Sequence, residues 1–327
     1  MKKLILASVF GTMLLISCSK SENENESKSS SNSNSLSEKY SNVPKDELVE
    51  SNTNAQLVYN ELSSRYKTSL LGLKKSVESN GAKFSLVFLT PECGKSETFT
   101  QRKGKAVIET IVKENGIDYA DLTINLSKQD PLVVTQMPKD GHLSKIGAQQ
   151  IATELLEVVK RFKGYSAPVS DQLNSKPSMF GDLESNQDEV LDGGKDLPYR
   201  CITNKQGLRH RGDIAFPKKK QRILLLGDSV FFCPFLDNEN GISEQLQAMY
   251  PDAEIINASN WGYSVDDYLS LYNEKAKFLE ADLVIVQTSG NDITDLYFSN
   301  RLKLSRQKSS VKPDAAELNL YNELYKK

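Results

Sequence analysis

Apolar side chains recur at helical spacing from position 54 onward, at Leu57, Val58, Leu62, Tyr66, Leu70, Leu71, Leu73 and Val77, until Asn80-Gly81 breaks the pattern. Lys83 to Thr90 then reads as a short apolar strand stopped by Pro91. A helix around Gly104 to Glu114, a strand at Ile117 to Leu122, a loop and a helix from about Ser144 to Phe162 follow. A polar stretch from Gly164 to about Leu197, carrying Gly, Pro, Ser, Asn and Asp, reads as a connector. Tyr199 to Phe216 reads as a small strand-and-turn element whose turn is Asn204-Lys205-Gln206-Gly207. From Arg222 the alternation resumes with a strand at 222–226, a helix near Ile242 to Met249 and a strand at Ala253 to Asn257. A helix at Asp266 to Leu279, a strand at Asp282 to Gln287 and an amphipathic run from Ala315 to Tyr325 complete it.

Strands alternating with helices predict an α/β fold of three layers, α/β/α, around a parallel sheet. Neither flank of the 164–197 connector holds enough strands for a stable sheet of its own. With 327 residues, 38% hydrophobic content and a net charge of −2, the chain can bury one substantial core and gives no electrostatic sign of a nucleic-acid partner.

The start of the chain bears on compartment. Lys2 and Lys3 precede an apolar stretch from Leu4 to Ile16 that is too short to span a bilayer comfortably, as in an export signal. Leu15-Ile16-Ser17-Cys18 resembles the bacterial lipobox, which implies lipidation of Cys18 and a lipid-anchored mature protein. By the same resemblance Ser19 favours the outer membrane, on its periplasmic or cell-surface side. Residues 19–53 are Ser, Asn, Glu and Lys with little apolar content and read as a disordered tether. Cys93, Cys201 and Cys233 remain once Cys18 is assigned; their pairing is open, and no metal-ligand spacing is present.

Three polar clusters stand at the C-terminal ends of predicted strands, where open α/β sheets bind ligands. They are Gly227-Asp228-Ser229, the turn Asn257 to Gly262, and Ser289-Gly290-Asn291-Asp292. A serine there needs a base, and the chain has only two histidines, His142 and His210. His142 lies in Asp140-Gly141-His142 at a predicted helix start, whereas His210, between Arg209 and Arg211 in a turn-rich segment, is expected to be solvated.

Together these clusters resemble the SGNH, or GDSL, hydrolase family. Ser229, Gly262 and Asn291 correspond to its first three blocks, with Ser289 where the third block usually has glycine. The family's last block, an Asp and a His before a terminal helix, is found upstream at Asp140 and His142. The resemblance therefore implies a circularly permuted domain with a five-stranded parallel sheet. Residues 54–163 would be its C-terminal-type half, 164–197 a linker, and 198–327 the N-terminal-type half that carries the nucleophile. Most of the family spaces the pair as Asp-x-x-His; the closer Asp140-x-His142 is similar to the alginate O-acetyltransferase branch, whose domain is also permuted.

The resemblance implies a catalytic Ser229, His142 and Asp140, an oxyanion hole from Ser229, Gly262 and Asn291, and no cofactor or metal. The activity implied is that of a serine esterase acting on an O-acylated carbohydrate, removing O-acetyl groups from a surface or extracellular polysaccharide, or, alternatively, of an O-acetyltransferase that acetylates an exported glycan and is fed by a membrane acyltransferase. A non-catalytic glycan-binding lipoprotein is a further alternative. Tyr59-Asn60-Glu61-Leu62 recurs as Tyr321-Asn322-Glu323-Leu324, which leaves open a truncated tandem in which Ser229 and His142 belong to different domains. Trp261, Tyr263, Phe231 and Phe232 are candidates for either a sugar site or the core.

Overall fold

The computed structural model describes residues 53–90, 99–168 and 176–296. The signal and lipobox with Cys18, the expected tether up to residue 52, Cys93, the amphipathic run at 315–325 and the second copy of the repeat lie outside the described residues, and Thr53, the expected end of the tether, already begins a helix. In chain order the strands are β1 (Lys83–Phe88), β2 (Asp118–Asp121), β3 (Asp188–Leu191), β4 (Tyr199–Ile202), β5 (Gln221–Leu226), β6 (Ala253–Asn257) and β7 (Leu283–Thr288). Five of them form one all-parallel sheet in the order β2-β1-β7-β5-β6, while β3 and β4 make a separate antiparallel hairpin.

The longer helices are α1 (Thr53–Ser79), α2 (Phe99–Asn115), α3 (Lys145–Lys160), α4 (Ile242–Met249) and α5 (Val265–Glu274). α1 presents Leu62, Tyr66, Leu70, Leu73 and Val77 along one stripe, the spacing that packs a helix on a sheet. It ends where Gly81 takes φ +81°, which relieves the steric cost of a side chain there. In β5, Leu224 and Leu226 join the core under α1 and α5, while Ile223 and Leu225 join the core under α3 and α4. Both faces are covered, which is why the inner strands read as continuous apolar runs rather than as alternation.

The two halves of the sequence meet in this sheet. β1, from the first half, pairs with β7, from the second, in register from Lys83 opposite Leu283 to Phe88 opposite Thr288. β5 flanks β7 on its other side. The chain leaves β5 for β6 on one side and returns to β7 on the other, so a crevice opens at the C-terminal end of β5, where Ser229 follows.

Some boundaries differ from those the sequence predicts. The helix expected at 266–279 begins at Val265, with Ser264 and Asp267 in a reciprocal capping box, and gives way at Glu274 to a separate 3₁₀ turn at Ala276–Leu279. The described residues of the expected connector at 164–197 are more structured than its composition suggests. Tyr165 Oη donates to the Gly81 carbonyl at 2.5 Å and the Ala167 N–H to Asp282 at 2.6 Å, and β3 lies within the same stretch. β3 escaped the pattern because Asp188, Glu189 and Val190 are all exposed, so no buried face marks it; Arg200 reaches across to grip Asp188 with two bonds of 2.6 Å.

Candidate active site

Ser229 owes its position to a turn that three strands hold in place. Gly227 permits the close approach, since a Cβ there would lie 2.6 Å from Gln287 Oε1 and 3.0 Å from Phe231 Cβ. The Asp228 carboxylate caps the single helical turn Ser229–Phe232 by accepting the Val230 N–H at 2.7 Å. From β7, Gln287 accepts the Asp228 N–H at 3.2 Å; from the end of β6, Asn257 donates to the Phe231 carbonyl at 3.0 Å.

His142 arrives on a loop that follows β2. The Gln136 N–H donates to the His142 carbonyl at 2.8 Å, an isolated bridge joins Thr135 to Leu143, and Ser144 caps α3. Asp140 Oδ1 accepts both the His142 backbone N–H at 2.9 Å and a bond with the ring Nδ1 at 2.5 Å. The Asp-x-His spacing thus lets one oxygen close the turn and orient the ring together. The other ring nitrogen, Nε2, lies 2.8 Å from Ser229 Oγ. Ser229, His142 and Asp140, 87 residues apart between serine and histidine, form one hydrogen-bonded chain.

Burial alone would raise the Asp140 carboxyl, but the bond and charge of His142, its backbone N–H and the charge of Lys195 outweigh it and hold the pKa below the ordinary value. Asp140 is therefore ionised at neutral pH. Its second oxygen, Oδ2, is buried with no hydrogen-bond partner among the described residues. Under the serine turn the direction reverses. Asp292, fully buried, is pushed up to about 6 by that burial although it accepts from Ser289 N–H, Thr288 Oγ1 and Tyr268 Oη. Burial and the charge of Asp292 also raise Asp228 well above the usual carboxylate range.

The remaining expected donors fall as follows. Gly262 adopts φ +64° with open space around its α-carbon, so the left-handed backbone rather than crowding favours glycine. Its turn is tied to the serine loop by the Asn260 N–H, which donates to the Gly227 carbonyl at 3.1 Å. Asn291 is exposed and held within its own turn, donating Nδ2–H to Asp295 at 2.6 Å and accepting from Ser289 Oγ at 2.6 Å. Among the described residues no hydrogen bond joins it to Ser229 or His142.

Aromatic rings surround the histidine. Phe235 stands edge-on to it at 6.0 Å, and Trp261 lies 5.9 Å away, tilted 31° from the imidazole plane. Phe231 and Phe232 are core residues, and Tyr263 is buried with its hydroxyl donating to Asp182 at 2.6 Å.

Sequence reasoning missed the residue that fixes this wall. Arg209 is buried, 3% exposed, and its guanidinium donates to the carbonyls of Phe232, Cys233 and Leu236 and to Asn238 Oδ1. Within that loop Cys233 and Phe235 both take positive φ, +57° and +62°, which costs free energy for residues with a Cβ. The only sequence signal was an arginine in a turn-rich segment beside a histidine. His210 itself corrects an expectation: it is largely buried, not solvated, and its Nδ1 lies 3.8 Å from Glu244. Burial pushes its pKa down against the charges of Glu244 and Glu254. Cys201 and Cys233 are buried free thiols. Among the described residues no three of His, Cys, Asp or Glu converge to hold a metal, and no helix is long and apolar enough to cross a membrane.

No protein-family model matches the sequence, and no curated protein is similar to it. Among solved structures the chain is similar to the O-acetyltransferase domain of Pseudomonas putida AlgJ, at 15% identity and a TM-score of 0.48, over 81% of this chain and 91% of that one. It is also similar to Bacillus cereus PatB1 with a sulfonyl adduct, at 11% identity and a TM-score of 0.37, over 72% of this chain and 89% of that one.

Proposed function

We propose that the protein is a serine esterase of SGNH type that removes O-acetyl groups from a surface or extracellular polysaccharide through an acyl-enzyme. The observation that carries this reading is the chain Asp140–His142–Ser229, with contacts of 2.5 and 2.8 Å at the mouth of the sheet crevice. In the proposed reaction His142 Nε2 takes the proton of Ser229 as Oγ attacks the acyl carbon, and the ionised Asp140 stabilises the imidazolium. The tetrahedral oxyanion is met by the N–H groups of Ser229 and Gly262 and by the second Nδ2–H of Asn291, the first being engaged by Asp295. His142 then protonates the departing sugar oxygen, and water repeats the sequence in reverse to release acetate.

In this reading the chain is a circular permutation of the SGNH order, because the Asp-His loop precedes the serine strand while both serve one crevice. The lipobox at Cys18 and the tether behind it anchor the enzyme at the outer membrane, within reach of extracellular glycan. Capture of the acyl-enzyme by a sugar hydroxyl in place of water would make the same residues a transferase. The first test is p-nitrophenyl acetate hydrolysis by the full chain beside Ser229→Ala and His142→Ala. Turnover by the wild type with loss of about a thousandfold or more in both variants is expected; turnover that survives either substitution would contradict the assignment.

A further inference from the structure

We infer that Trp261 is a sugar-stacking platform for the alcohol side of the ester, so that the esterase proposed above selects substrates whose leaving oxygen is carried by a pyranose ring. Trp261 is the single tryptophan of the chain, and it remains 38% exposed on the turn after β6. A large apolar ring is usually withdrawn from water, and this one is held out on a rigid mount. Phe232 meets it edge-on at 6.2 Å and 74°, and Phe235 at 5.9 Å and 77°. Phe235 is in turn backed by Tyr199 of β4 at 5.9 Å, and its loop is clamped by Arg209.

The position of the platform decides which part of a substrate it meets. A histidine that deprotonates the serine later gives its proton to the departing oxygen, so the leaving alcohol must rest against the imidazole. The Trp261 ring lies 5.9 Å from the His142 ring and tilts 31° from its plane, so a group resting against the imidazole lies within reach of the indole. An extended acyl chain would call for an enclosed channel, whereas an open, flat aromatic face suits a saturated ring whose axial C–H bonds form one apolar surface and whose hydroxyls stay in water.

The inference rests on the esterase reading, and two measurements separate their failures. Hydrolysis of a peracetylated methyl glucoside is compared with that of vinyl acetate, whose leaving group offers no ring, for the wild type, Trp261→Phe and Trp261→Ala. Trp261→Ala is expected to lower kcat/KM for the glucoside about tenfold or more, mainly through KM, a loss at least about fivefold greater than that for vinyl acetate, and Trp261→Phe is expected to recover most of it. An equal loss on both esters would make Trp261 structural and overturn the inference. Separately, the lone tryptophan reports on its own site: in Ser229→Ala, the glucoside should shift or quench its emission saturably. If the wild type hydrolyses neither ester but the emission responds, the esterase reading fails and the platform stands; no saturable response overturns the platform whatever the activity.

Discussion

Asp140 and Asp292 are both buried aspartates near one serine, and their surroundings push them in opposite directions. His142 supplies a bond and a charge that keep Asp140 ionised, whereas Asp292 receives only neutral donors, which do not offset its burial. A carboxyl raised from 3.8 to about 6 binds a proton more readily in the folded than in the unfolded protein, so its contribution favours folding below 3.8 and is lost as pH rises toward 6. Asp292→Asn cannot titrate, and urea unfolding of the variant should therefore show a flatter decline between pH 4 and pH 7 than the wild type. Parallel curves for the two proteins would show that Asp292 is ionised at no cost in the fold.

At the scale of elements, the serine turn is pinned by the ends of the strands on either side of β5, through Gln287 and Asn257, and the loop beyond it by Arg209. Arg209→Met would keep the bulk but leave the carbonyls of Phe232, Cys233 and Leu236 without their donor. Each buried unsatisfied group costs about 1–3 kcal/mol, so a loss of about 3 kcal/mol or more in stability is expected from thermal or urea unfolding. Because that loop carries Phe235 against His142, turnover should fall with it, and unchanged stability would show the loop to be self-supporting. The sequence announced the strands because both sheet faces are apolar, and it announced the Ser229 and His142 sites because strand ends and capped helix starts have local signatures. It hid Arg209 and β3, since a side chain bonded to distant carbonyls and an exposed edge strand leave no periodicity behind.

For the molecule as a whole, the pairing of β1 with β7 matters most. It brings the first half of the chain against the second and places the Asp-His loop over the serine turn, a contact that neither half could make alone. The tandem arrangement left open by the repeated Tyr-Asn-Glu-Leu would have separated them; within the described residues both halves serve one sheet. The most direct measurement of the central claim is covalent labelling of the full chain with a fluorophosphonate, read by intact mass and peptide mapping. The serine oxygen displaces fluoride only when its proton has an acceptor, so reaction reports on the assembled site rather than on an exposed hydroxyl. The account predicts one adduct per chain, located on Ser229, and its loss in a folded His142→Ala variant. A folded wild type that takes up no label, or one labelled as readily without His142, would contradict it.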